Sequence, residues 1–204
     1  MTIDAVRQAS PPTMPPVARN PAVARSTMGL PDLPSIVAMG PFEDRLDAED
    51  LAEAFAEVRG RSAAQIILFG TGRQRSIVVR CAFARGVASD VHLLGSDSAG
   101  WSDVVAAADV VIPGTASGAT SLLDVLSVGR PVVAPIEPTT TRLVLPTSTG
   151  LLYRRGDVNA MAAALLRILT NSTLRHGMTC RASAVTCRRP LVTRVRSTHG
   201  SDDA

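Results

Sequence analysis

An α/β protein built on a parallel sheet is the architecture this sequence predicts, and three observations lead there. Short runs of β-branched and aliphatic residues alternate with amphipathic helical runs along the middle of the chain. Glycines fall where the helices should stop. Hydrophobic residues make up 46% of the chain but aromatic ones only 3%, so the core has to be assembled from Ala, Val, Leu and Ile. A chain of 204 residues has room for one ordinary domain with tails.

The elements follow in order from Ser35. Ser35 to Gly40 (SIVAMG) is a short buried strand. Asp47 has the look of an N-cap; Leu51, Phe55 and Val58 then share one helical face, and Gly60 is placed to end that helix. Gln65 to Phe69 is a second strand, running into Gly70-Thr71-Gly72, and a helix from about Gln74 to Arg85 is closed by Gly86. Val91 to Leu94 is a third strand. Trp101 to Ala107 makes a short helix, Asp109 to Ile112 a fourth strand, Ala119 to Val128 a helix closed by Gly129, and Pro131 to Ala134 a fifth strand. Gly150 to Tyr153 is the sixth, and Asp157 caps a long Ala/Leu helix reaching about Thr170. Strand alternating with helix over most of this stretch gives a Rossmann-like parallel sheet with helices on both faces. Such sheets bind ligands at the carboxyl ends of their strands. That rule points to Gly40–Arg45, Gly70–Arg75, Gly95–Gly100 and Pro113–Thr120.

Both ends of the chain read differently. Residues 1–34 carry seven prolines, Pro11, Pro12, Pro15, Pro16, Pro21, Pro31 and Pro34, with little apolar periodicity, and read as a disordered leader. The Rossmann-like domain is expected over residues 35–178 and a basic, disordered tail over 179–204, although a helix from Thr173 to Ala184 is compatible with the pattern. All 21 basic residues are Arg; residues 1–170 hold 15 of them against 16 acids, and residues 171–204 hold six against Asp202 and Asp203. The basic pI of 9.2 therefore resides in the tail, and without interleaved aromatics it reads as solvated rather than nucleic-acid binding. Cys81 falls in an apolar helical run and reads as a buried core thiol. Cys180 and Cys187, with His176 and His199 nearby, match no zinc spacing, so neither a metal nor a disulfide framework is expected. Met1 to Asn20 lacks a signal-peptide core and no apolar run is long enough to span a bilayer, which makes the cytoplasm the expected location.

Two turns have the chemistry of an anion cradle. Gly70-Thr71-Gly72-Arg73-Gln74-Arg75 follows a strand and opens a helix, where glycines let a phosphate approach the backbone and free N–H groups face it. Arg75 occupies the place of the third glycine in a dinucleotide fingerprint, which argues against NAD. Arg73 and Arg75 either pair with a diphosphate or are exposed helix-start arginines. In Pro113 to Thr120 (PGTASGAT), small residues between strand and helix leave backbone donors open, with Asp124 further along the helix. That carboxylate either accepts from a ribose or sits on the solvent side of a helix packed closely on the sheet. His92, inside a strand, reads as a sheet residue, and Thr139, Thr140 and Thr141 as a polar loop.

Taken in order, these pieces resemble the C-terminal donor-binding domain of the retaining GT-B glycosyltransferases of family four (glycosyl transferases group one). The resemblance runs from about Ile36 to Met178 through Gly70-Thr71-Gly72-Arg73, His92 to Gly95, Ala107 to Pro113, Leu123 to Val133, Thr149 to Tyr153 and Gly156-Asp157. It implies a single half of a GT-B fold that binds a nucleotide diphosphate sugar as donor substrate, with no other cofactor and no metal. It also implies hexosyl transfer. Carried over by position, the ribose-binding acid is Asp124, while the first acid of the family's glutamate pair falls on Ala116. The family's diphosphate-binding Arg falls on Pro41, with Arg45 the nearest cation, and its Glu before the Thr-Gly pair falls on Arg142. Gly70, Gly72, Arg73, Arg45 and the backbone of Gly118, Ala119 and Thr120 are the expected donor and phosphate contacts. The acceptor site and the usual catalytic His belong to the family's other domain, so the resemblance implies a separate chain supplying that half; no catalytic residue is assigned here. The alternative is a catalytically silent relic or scaffold domain that binds another protein, favoured by Ala116, Pro41 and Arg142.

Overall fold

The computed structural model describes residues 20–95, 100–114 and 118–187. Six strands form one sheet in the order β3-β2-β1-β4-β5-β6, with every pairing parallel. They are β1 (Ser35–Met39), β2 (Gln65–Phe69), β3 (Val91–Leu94), β4 (Val110–Ile112), β5 (Val132–Pro135) and β6 (Gly150–Tyr153). The helices are α1 (Pro21–Thr27), α2 (Arg45–Arg61), α3 (Arg75–Ala84), α4 (Trp101–Ala106), α5 (Gly118–Ser127), α6 (Pro138–Leu143), α7 (Val158–Thr170) and α8 (Ser172–Cys187).

Strand β1 lies at the centre, with Ile36 in register with Ile66 on one side and Val110 on the other. Buried on both faces, it is apolar at successive positions. Successive side chains point to opposite faces, so Ile36 and Ala38 join the core under α2, α3 and α7, while Val37 joins the core under α4, α5 and α8. The small side chains of Ala52, Ala54, Ala162 and Ala48 let α2 and α7 lie close on the first face around Phe55, Leu165 and Ile168.

Helix ends are set by local chemistry. Asp44, not Asp47, caps α2: its carboxylate accepts from the Asp47 N–H at 3.1 Å. Starting one turn earlier places Ala48 against the core, and Asp47 remains in the first turn, where its charge suits the helix dipole. Gly60 lies inside the last turn of α2, which runs on to Arg61. Asp157 caps α7 by accepting from Ala160 N–H at 2.8 Å, as the sequence indicates. The Thr139–Thr141 stretch is helical rather than a loop: the Thr140 hydroxyl donates to the Pro135 carbonyl at 2.5 Å and accepts from Glu137 N–H at 3.0 Å.

Neither flanking segment keeps its expected boundary. Residues 20–34 are not a disordered leader. Asn20 caps α1, Ala24 enters the second core with Met28 and Leu30 beside it, and the Arg25 side chain is buried. The expected tail likewise begins too early, because α8 continues to Cys187 and buries Ala182. Residues 1–19 and 188–204 lie outside the described residues. One carboxylate fastens both segments beneath the sheet. Asp109, entering β4, accepts from Ser35 N–H at 2.9 Å and from Arg25 of α1 at 3.1 Å, and it pairs with Arg175 of α8 at 3.3 Å. Arg25 also donates to the Ala107 carbonyl at 3.1 Å and to Asp32 at 2.6 Å. Nearby Arg130 is buried and donates to the Ala106 carbonyl, and burial pushes its pKa down to about 10 against the opposing pull of Asp109.

Candidate functional site

The topology fixes where a ligand would sit. From β1 the chain turns outward through α2 toward β2, and from β4 it leaves through α5 toward β5 on the other side. The loops after β1 and β4 therefore diverge, leaving a crevice outside the carboxyl ends of adjacent strands. A cleft of about 60 Å³ occupies this position, bounded by Met39, Pro41, Phe42, Pro113 and Gly114, with Tyr153 and Arg155 contributed by the end of β6. Space for one water needs about 10–15 Å³ on this measure, so the cleft holds a few waters or one small group, and the rest of a larger ligand would lie across its mouth.

Its electrostatics are one-sided. Glu43, Asp44, Asp47 and Asp50 line it, and Arg155 is the one cation among the described lining residues. Arg155 donates to both carboxylate oxygens of Asp47, at 2.6 and 2.9 Å, and lies 3.5 Å from Asp44 and 3.9 Å from Glu137. The hydrogen bond to Asp47 raises the Arg155 pKa above the usual arginine value. Burial, followed by the charges of Asp47 and the neighbouring glutamates, raises the Asp50 carboxyl. Tyr153 is pushed upward as well, chiefly by burial. Arg155 is thus shared among Asp47, Asp44 and Glu137.

The residues expected at the site from sequence are spread over several places. Gly70 and Gly72 have φ of +111° and +140°. A Cβ on Gly72 would fall inside the Phe42 backbone, and one on Gly70 would stand 3.3 Å from the Gly40 Cα. The turn is thereby zipped to the loop after β1: Phe42 N–H donates to Thr71 O at 2.9 Å, and Gln74 N–H donates to Phe42 O at 2.9 Å. These glycines thus have a packing duty in forming one wall of the crevice. Arg73 pairs with Glu43 at 3.2 Å with its side chain 86% exposed, and Arg45 pairs with Glu49 at 2.8 Å on the outside of α2; neither lines the cleft. Arg75 donates to the carbonyls of Leu68 and Leu94, tying the ends of β2 and β3 together.

Gly118, Ala119 and Thr120 form the first turn of α5, in the loop-to-helix stretch whose Gly114 lines the cleft; residues 115–117, Ala116 included, lie outside the described residues. Asp124 is half-buried on α5, and burial raises its carboxyl pKa above the usual aspartate value. It does not line the cleft. Pro41 does, in the place where the family resemblance implies an arginine. Arg142 is exposed on α6. Cys81 is half-buried rather than fully enclosed, and burial lowers the pKa of His92 in the edge strand. Among the described residues no group of three or more His, Cys, Asp or Glu is placed to hold a metal. No described helix is long and apolar enough to cross a membrane.

Sequence reasoning missed Arg155 and its carboxylates. The signal was available, since Arg154-Arg155-Gly156-Asp157 follows the sixth strand and the carboxyl-end rule applies to that loop as to the four it singled out.

The parallel six-stranded sheet with helices on both faces is a Rossmann-like α/β domain of the kind that forms one half of a GT-B protein. Residues 33–171, more than half of the chain, match the family model for glycosyl transferases group 1, and the chain belongs to that family. No curated protein matches it. Among solved structures, the C-terminal domain of the group 1 glycosyl transferase LpcC from Francisella tularensis is similar at 14% identity and a TM-score of 0.75, covering 86% of this chain and 97% of that one. WaaG, a glycosyltransferase involved in lipopolysaccharide biosynthesis, is 20% identical at a TM-score of 0.70, with 89% and 52% covered. Anabaena HepE, in complex with UDP and glucose, is 17% identical at a TM-score of 0.71, with 83% and 48% covered. At these identities the likeness is one of fold. The chain spans about half the length of WaaG and of HepE.

Proposed function

We propose that this chain is the donor-binding half of a hexosyl transfer enzyme, binding a nucleotide diphosphate sugar at the switch-point crevice and needing a separate chain for the acceptor-binding half. The observation that carries this reading is the coincidence of two independent results. The family match covers the whole sheet, and a crevice stands where such sheets take their ligands. In this reading the free N–H groups at the start of α5, at Gly118, Ala119 and Thr120, meet phosphate oxygens, and Asp124 accepts from the ribose hydroxyls. Gly70 and Gly72 hold the crevice wall, while Arg73 and Arg45 exchange Glu43 and Glu49 for the diphosphate. The cytoplasm is the compartment the reading assumes.

A second reading, a catalytically silent scaffold domain, is favoured by a specific observation. The described lining of the crevice carries four carboxylates against one guanidinium, a poor match for a diphosphate. Calorimetric titration with UDP, GDP and their sugar conjugates separates the two. Micromolar binding that is lost in Asp124→Ala supports the donor half. No heat at millimolar ligand sinks it and leaves the scaffold.

A further inference from the structure

We propose that Arg155 is the group that meets the diphosphate of a nucleotide ligand in this crevice, and that Asp47 holds it in reserve until the ligand enters. The inference rests on the donor-binding reading above and adds a cation inside the cleft, where Arg45 and Arg73 do not reach. Three observations carry it. Arg155 is the one guanidinium among the described residues lining the cleft. The other nearby arginines lie outside the cleft lining: Arg45 pairs with Glu49, Arg73 with Glu43, and Arg75 donates to the carbonyls of Leu68 and Leu94. Finally, Arg155 spans the mouth from the loop after β6 to the first turn of α2 at Asp47, with Glu137 from the loop after β5 at 3.9 Å.

An anion arriving there enters the field of Glu43, Asp44, Asp47 and Asp50 and needs a countercharge. The planar fork that grips both oxygens of Asp47 fits a phosphate equally well. The exchange is easy because the Arg155 side chain is 48% exposed and an ion pair so open to water is weak. Arg155 is thus a ligand-binding residue, and Asp47 its competitor, which makes the crevice selective against anions that do not reach the guanidinium.

The two halves of the ion pair give the test. Arg155→Gln and Asp47→Asn break the same contact, so a merely structural latch would weaken ligand binding in both variants. A ligand-binding Arg155 makes the signs opposite. UDP is titrated calorimetrically into the wild type and each variant, with circular dichroism melting to confirm that each is folded. The expected result is a loss of about tenfold or more in UDP affinity for Arg155→Gln, and a gain of about threefold for Asp47→Asn. If the wild type binds UDP and Arg155→Gln binds it equally well, or both variants weaken together, the assignment is overturned while the donor reading stands. If the wild type binds no nucleoside diphosphate, both fall together.

Discussion

Replacing Asp109 with asparagine probes how the two ends of the described chain are fastened to the sheet. Asp109 is buried, with its side chain only 11% exposed, and its carboxylate serves three partners: the Ser35 N–H at 2.9 Å, Arg25 at 3.1 Å and Arg175 at 3.3 Å. An asparagine keeps one carbonyl acceptor but turns an NH₂ donor toward donors, and it removes the charge opposite two guanidiniums. Breaking a buried ion pair by removing one partner costs about 3–5 kcal/mol. Arg25 retains the Ala107 carbonyl and the exposed Asp32, and Arg175 retains the carbonyls of Ile168 and Leu169. The loss should therefore lie near the lower end, about 3 kcal/mol. Urea unfolding followed by circular dichroism measures it as a fall in midpoint at constant slope. Limited trypsin digestion reports where the loosening occurs, because the bond after Arg25 is protected while α1 is docked. A loss below about 1 kcal/mol, with the Arg25 bond as resistant as in the wild type, would refute the reasoning, since the arginines would then be held by the carbonyls alone.

Three further outcomes follow from the same coordinates. Gly72→Ala meets both a φ of +140° and the Phe42 backbone, whereas Gly86→Ala meets only a φ of +71° in open space; melting should show a loss of about 3 kcal/mol or more for the first and about 1 for the second. Phe55→Ala empties a fully buried position between α2 and the sheet and should cost about 3–5 kcal/mol in denaturant unfolding. Burial raises the folded-state pKa of Asp124, so the native state binds the proton more tightly than the unfolded chain. Stability from this group falls as pH rises from the unfolded value through the raised folded one. Asp124→Asn should therefore be more stable than the wild type at neutral pH, with the advantage vanishing below the unfolded pKa; an advantage independent of pH would contradict the burial argument.

The positions of all six strands were legible in the sequence to within a residue or so, because each is a short apolar run ended by a turn former, in the half-exposed edge strands β3 and β6 as in the buried inner four, and both signals are local. The Gly70–Gly72 turn and the cap at Asp157 were legible for the same reason. What depended on partners far along the chain was not. Helix α1 has seven residues, too few to show a period, and owes its place to Arg25 reaching an aspartate 84 residues away. The choice between Asp44 and Asp47 as the cap of α2 turns on packing of Ala48, since both aspartates have the required side chain. In the site, the sequence indicated the sheet end that forms the crevice and the family to which it belongs. It left the direction of each arginine open. Arg45 and Arg73 lie next to the right loops yet pair with Glu49 and Glu43 without lining the cleft, while Arg155 crosses the mouth to a carboxylate 108 residues earlier. A guanidinium on a long flexible stem goes to the carboxylate that the fold brings within reach, and only the folded sheet decides which one that is.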